Sequence, residues 1–117
     1  MAHSANGPPS PLTIAPPSRL VTGAGAEAFE QRLHDLLTSG HRSIIVDLTA
    51  VDYMDSAGVR ALVRGYTTAH RTNATILFAC AGPRVERLLH LTRLDRVLRL
   101  CGSIQDAEAA AAETGAA

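Results

Sequence analysis

One segment constrains the fold of this chain more than any other. It contains three successive β-branched residues, Ile44-Ile45-Val46, followed by Asp47 and Leu48. A strand with one exposed face alternates apolar and polar residues, whereas a strand covered on both faces is a nearly continuous apolar run. The segment therefore predicts a central strand with other layers on both sides. A structure built only of helices, or only of strands, is not expected.

The rest of the chain alternates between apolar residues at helical spacing and short apolar runs typical of strands. After an N-terminal hairpin or edge strand pair, strand and helix alternate. This order predicts an α/β fold with a four- or five-stranded sheet, mixed or wholly parallel, and helices packed on it. The predicted elements are the strand pair over 12–21, helices over 25–39 and 56–71, a helix beginning at Pro83, a last helix after Ser103, and strands over 44–48, 75–80 and 97–100.

The length of 117 residues corresponds to one domain. Residues 1–11 hold three prolines, one glycine and no periodic apolar pattern, which predicts a disordered leader. The domain is expected to cover residues 12–110. Residues 111–117, at the end of an Ala-rich helix, are expected to be a frayed C-terminal tail.

The charge balance argues against several classes of partner. Eleven arginines offset eleven acidic residues, so no net charge attracts the chain to polyanions or anionic membranes. Aromatic residues make up only 3% of the chain, which leaves little surface for stacking bases. No apolar run approaches the roughly 18 residues of a membrane span, and no signal peptide pattern is seen. We expect a cytoplasmic protein that neither binds nucleic acid nor inserts into a membrane.

An enzyme is also not expected, although Ser56 lies at a predicted strand-to-helix turn. The surrounding sequence is M-D-S-A-G, and Met54 occupies the position where a nucleophile elbow requires a small residue. No pair among the five histidines has metal-ligand spacing with a supporting cysteine or carboxylate. We therefore expect no catalytic residue and no metal site.

One glycine motif is typical of dinucleotide binding. Gly23 to Ala28 reads G-x-G-x-x-A and opens a helix, and Asp47 ends the following strand. The strand before Gly23 is short, however, and the chain is too short for a full dinucleotide domain with a substrate site. The motif favours a Gly-rich entry into the helix, and we expect no cofactor.

The segment from Ile45 to Leu62 reads IVDLTAVDYMDSAGVRAL, a buried strand that leads through an acidic loop into a helix for which Ser56 is predicted as the N-cap. It resembles the STAS domain of anti-sigma-factor antagonists, whose pattern is a strand ending in D-L-S, a loop ending in F-M-D-S-S-G and a helix beginning with G-L. The resemblance extends over about residues 12–109. It includes Val85 to Asp95, which is similar to the family's V-x-R-x-L-x-L-x-G-L-D, with Arg93 in place of the glycine.

The resemblance implies a STAS-like fold and a bacterial regulator of transcription. In this family an anti-sigma factor with serine kinase activity phosphorylates the serine directly after the loop aspartate; here these residues are Ser56 and Asp55. Binding to that kinase controls the release of a sigma factor, and phosphorylation switches the binding off. The family's G-E-L-D turn is replaced by Ser18-Arg19-Leu20-Val21, with Val21 where the family usually carries Asp.

The implied partner surface covers the loop and the start of the second helix. Its members are Asp52, Tyr53, Met54, Asp55, Ser56, Ala57, Gly58 and Arg60. Two alternatives remain open. In the first, Ser56 serves only to cap its helix. In the second, the chain is a STAS subunit that docks constitutively on a lipid-transport ATPase, and the D-S-A-G variant with Ala57 is compatible with that branch of the family. A homodimer is a further option.

Overall fold

The computed structural model describes residues 10–115 and has a helix or strand at nearly every predicted position. Its elements are β1 (Leu12–Ile14), β2 (Arg19–Leu20), α1 (Ala26–Thr38), β3 (Ser43–Asp47), β4 (Tyr53–Met54), α2 (Ser56–Arg71), β5 (Thr75–Ala79), α3 (Pro83–Leu91), a 3-10 turn (Leu94–Arg96), β6 (Leu100–Cys101) and α4 (Ile104–Gly115). Residues 1–9, most of the predicted leader, lie outside the described part. The proposed division into leader, domain and tail stays a prediction.

Four strands form the main sheet in the order β1-β3-β5-β6, which confirms the α/β class and the four-stranded version of the predicted sheet. Central strand β3 pairs with β5 over five residues. Ile44, Ile45 and Val46 are all fully buried, as a strand covered on both faces requires. Ile44 and Val46 belong to the large core that includes α1 and α2, whereas Ile45 packs in a smaller cluster with alanines of α4.

The predicted N-terminal hairpin is wrong. Strand β1 pairs with β3, and β2 pairs with β4 in a separate two-stranded sheet; both pairings are parallel. Pro16 and Pro17 lie between β1 and β2, and they lack the backbone N–H groups that a hairpin ladder needs. Since every strand pairing among residues 10–115 is parallel, the sheet is the parallel version and not the mixed one.

Helix α2 is oriented by its apolar face. Leu62 is fully buried, and Val59 and Val63 are half-buried, so this face lies against the core and the N-terminal end of the helix reaches the surface. At Gly65 the helix lies so close to α1 that an added Cβ would be 2.8 Å from Cδ1 of Leu33. The two helices are thereby packed tightly side by side.

Two local features position the elements near the C-terminal end of the described chain. Arg93, which replaces the usual glycine after α3, adopts the left-handed conformation with φ 61° and ψ 18°. The Ser103 hydroxyl accepts a hydrogen bond from the backbone N–H of Asp106 at 3.0 Å, as the expected cap of α4. The predicted strand over 97–100 is shorter and shifted, to Leu100–Cys101.

Replacing Ser43 with alanine is expected to stabilise the protein by about 1 kcal/mol. Within the described residues the Ser43 hydroxyl, at the start of β3, is buried and has no hydrogen-bond partner, so its desolvation is uncompensated. Urea unfolding measures the change. Ser39→Ala is the control, because the exposed Ser39 hydroxyl donates to the Leu36 carbonyl at 3.1 Å and its loss brings no gain. Destabilisation by Ser43→Ala contradicts the prediction.

Candidate functional site

Asp55, and not Ser56, caps helix α2. The Asp55 backbone is extended, with φ −102° and ψ −167°, and one carboxylate oxygen accepts the backbone N–H groups of Ala57 at 2.9 Å and Gly58 at 3.2 Å. Ser56 is the first helical residue. The prediction that Ser56 is the N-cap is therefore wrong by one position, since in the D-S pair the aspartate has the extended backbone that a cap requires.

The same carboxylate connects α2 to the segment that follows β2. The second oxygen of Asp55 accepts a hydrogen bond from the backbone N–H of Thr22 at 3.0 Å. This bond, with those from Gly58 and Ala57, holds the pKa of Asp55 below its ordinary value, against an opposing effect of desolvation. The ionised Asp55 carboxylate thus accepts three backbone hydrogen bonds, and these link the start of α2 to the segment around Thr22, which is distant in sequence.

Acid is expected to destabilise the wild-type protein more than the variant Asp55→Asn. A lowered pKa in the folded state means that the ionised carboxylate contributes stability above about pH 4, the ordinary aspartate value, and that this contribution is lost as pH falls through the folded-state pKa. Asparagine caps a helix without titrating in this range. Urea unfolding between pH 3 and 6 measures the difference. Asp55→Ala should be less stable than wild type at pH 6; equal acid sensitivity of wild type and Asp55→Asn would contradict the argument.

Ser56 is exposed at the first position of α2. Its hydroxyl has no hydrogen-bond partner among residues 10–115, because Asp55 already satisfies the amides of the first turn. The side chain therefore has no structural task in the described fold. The Ser56 hydroxyl is accessible to a modifying enzyme from the solvent side.

The segment before α1 holds the Ser56 loop in place. The Ser18 carbonyl accepts the backbone N–H of Asp52 at 2.9 Å, and Leu20 pairs with Met54. Gly58 packs directly against the Leu20 backbone, so closely that a Cβ there would overlap the Leu20 carbonyl oxygen. The loop and the helix start form one unit with β2.

The eight residues of the predicted partner surface differ in exposure. Asp52, Tyr53, Ser56 and Arg60 are exposed, and Asp55 is half-buried. Met54, Ala57 and Gly58 are buried, so they support the surface and contribute little area to it. Arg60 extends toward α1, where its Nε lies 3.9 Å from a carboxylate oxygen of Glu30.

Sequence reasoning missed two residues of this region. The Arg19 guanidinium lies 5.1 Å from the centre of the Tyr53 ring, and Thr22 supplies an amide to Asp55. Arg19 lies in the segment predicted as a hairpin or edge strand pair, and Thr22 follows directly after it. The sequence marks Ser18 to Val21 only as a departure from the family's turn, and the contacts with Asp55 and Tyr53 are seen in the structure alone.

The glycine motif at residues 23–28 forms the entry to α1. Gly23 and Gly25 have positive φ angles of 74° and 121°. The Gly23 amide donates to a Glu27 carboxylate oxygen at 3.0 Å, and the amides of Ala24 and Ala26 donate to the Val21 carbonyl. These bonds occupy amide groups that a phosphate would otherwise use.

The described part of the chain contains neither a metal-binding cluster nor a helix able to span a membrane. Between residues 10 and 115, no three His, Cys, Asp or Glu side chains lie together as ligands for a metal ion. None of the helices described here has the length and apolar character needed to cross a membrane.

Comparison with known proteins assigns the family. The family model described as "STAS domain" matches residues 5–107, and the chain belongs to this family. It is 26% identical over 98 residues to the anti-sigma-F factor antagonist RsfB of Mycobacterium tuberculosis, a match that covers 82% of this chain and 75% of that protein.

Solved structures show the same fold. An anti-sigma factor antagonist from Mycobacterium paratuberculosis is 24% identical with a TM-score of 0.72, over 85% of this chain and 83% of that one. The anti-sigma factor antagonist SpoIIAA in its unphosphorylated form is 15% identical with a TM-score of 0.63, over 84% of each chain. The predicted STAS-like fold is confirmed.

Proposed function

We propose that this protein is an anti-sigma-factor antagonist that binds an anti-sigma factor with serine kinase activity, and that phosphorylation of Ser56 switches this binding off. The observation that carries the proposal is the division of roles at the start of α2. Asp55 makes the capping bonds, and Ser56 is exposed with an unengaged hydroxyl. Ser56 can be modified without any loss of the bonds that start the helix.

The expected effect of a phosphate differs between fold and interface. At the N-terminus of a helix a dianion is tolerated, because it interacts favourably with the helix dipole by roughly 0.3–1 kcal/mol. At an interface, one added charge about 5 Å from an acidic partner group costs about 3 kcal/mol at an effective dielectric constant near 20. Phosphorylation should therefore abolish binding while the fold is kept.

The relatives support this role at the level of the family. RsfB is named an antagonist of an anti-sigma factor, and SpoIIAA is an antagonist described in an unphosphorylated form. In the proposed role the protein acts in the cytoplasm, as a regulator of transcription and not as an enzyme. It needs no cofactor, metal, nucleic acid or membrane.

The test is affinity capture with the tagged protein from a lysate of the source organism, followed by mass spectrometry of the partners and of residue 56. We expect an anti-sigma factor, and a phosphate on Ser56 when the purified partner and MgATP are added. Ser56→Ala, which should still capture the partner, is the control for phosphate at other sites. Capture of transport ATPase subunits, with Ser56 unmodified, would instead support the constitutive docking subunit.

A further inference from the structure

An apolar cleft lies beside the Ser56 loop, between β4 and α3. Its volume is about 320 Å³, and the apolar residues that line it are Tyr53, Met54, Val85, Leu88 and Leu91. Leu88 and Leu91 are three positions apart on α3 and so lie on the same side of that helix. The cleft is large enough for one or two apolar side chains.

The outer part of this cleft is incompletely covered. Leu91 has 66% of its surface exposed and Tyr53 has 42%, the largest and the third largest exposed fractions among the large hydrophobic residues of the described chain. Val85, which also lines the cleft, and Leu89 are buried in the core. Leu88 packs partly against the core, so Leu91 is the cleft residue of α3 that the domain's own packing leaves exposed, which points to a surface completed by another molecule.

The charged residues that line the cleft are all arginines. Arg84 and Arg87 line it, no carboxylate does, and Arg19 lies over the Tyr53 ring at its edge. Between residues 10 and 115, neither Arg84 nor Arg87 forms an ion pair. An apolar cleft with unpaired guanidinium groups is complementary to an apolar side chain flanked by carboxylates.

We propose that this cleft is a docking site for a segment of the anti-sigma factor that carries one or two large apolar side chains flanked by acidic residues. The proposal rests on the proposed function for the identity of the partner. Tyr53 and Met54 belong both to the cleft and to the Ser56 loop, so the two form one continuous surface. The cleft supplies affinity that does not depend on the state of Ser56, and Ser56 supplies the switch.

The experiment measures the affinity of the captured anti-sigma factor for six forms of the full chain, Ser56→Asp among them, by calorimetric titration. Leu91→Ser should weaken binding about tenfold or more, because it removes an apolar side chain that the complex buries. The double variant Arg84→Glu, Arg87→Glu should weaken it at least as much and reduce its dependence on salt. Leu12→Ser, on edge strand β1, and Arg32→Glu, on α1, are the matched controls and should bind within about twofold of wild type.

Hydrogen exchange of the wild-type complex provides a readout that needs no variant, and residues 83–91 should become protected. The proposal is overturned if Leu91→Ser binds as tightly as wild type, or if α3 gains no protection. If Ser56→Asp loses binding while Leu91→Ser does not, the proposed function stands and the cleft fails. If Leu91→Ser loses binding while Ser56→Asp does not, the cleft stands and the phosphorylation switch fails.

Discussion

Gly58→Ala is expected to destabilise the protein by about 3 kcal/mol and to displace the Ser56 loop. The new Cβ would overlap the Leu20 carbonyl oxygen and lie 2.8 Å from the Met54 Cβ. These are backbone and near-backbone atoms of β2 and β4, which cannot move as the end of a flexible side chain can. Alanine gains about 1 kcal/mol of helix propensity over glycine, which offsets only part of this cost.

Two other glycines provide graded controls for this prediction. Gly65→Ala brings a Cβ to 2.8 Å from the end of the Leu33 side chain, which can adjust, so a loss of about 1 kcal/mol is expected. Gly82 has an ordinary φ of −73° and no neighbour within 4 Å, so Gly82→Ala should cost less than about 1 kcal/mol. Chemical unfolding of the three variants tests the order. A stable Gly58→Ala variant would show that β2 is not held against α2 as described.

Ser56→Asp is expected to reduce binding of the anti-sigma factor roughly a hundredfold, while the free energy of unfolding changes by less than about 0.5 kcal/mol. The charge lies at a helix N-terminus, where it is tolerated, and Asp55 continues to cap the helix. Ser56→Ala should bind as tightly as wild type and accept no phosphate. Because Ser56 is not the cap, this variant should also unfold within about 0.5 kcal/mol of wild type.

Thr67→Asp is the control for charge, since it adds the same negative charge at an exposed position farther along α2. It should bind the partner as wild type does. Calorimetric titration and urea unfolding of the same preparations separate binding from stability. Tight binding by Ser56→Asp would reject the regulatory role and favour the constitutive docking subunit.

The buried part of the fold could be predicted from the sequence. The apolar run at Ile44 to Val46 is a strand covered on both faces, and the periodic apolar positions give helix bounds within a residue of those observed for α1 and α2. These elements follow from local pattern and burial. The apolar segment at 97–100 gave a misplaced strand, because the buried Leu98 lies between the 3-10 turn and β6 and belongs to neither.

Features that depend on long-range contacts could not be predicted in the same way. Strands β2 and β4 have two residues each, and their pairing is accompanied by two long-range contacts, the packing of Gly58 on Leu20 and the bond from Thr22 to Asp55. The N-cap of α2 was predicted one residue too late, at Ser56, because aspartate and serine cap equally well. Which of the two is the cap depends on the backbone conformation at each position. The cleft exists because α3 lies beside Tyr53, and this tertiary contact cannot be predicted from the local sequence pattern of either segment.

Because Asp55 alone satisfies the first amides of α2, position 56 carries no folding requirement in this protein. Under the proposed mechanism a serine there gives a reversible regulator, an alanine a permanently competent binder and an aspartate a permanently silent one. A lineage can pass among these three behaviours by single substitutions without an unstable intermediate. Regulation can therefore be gained or lost in evolution faster than the domain that carries it can change.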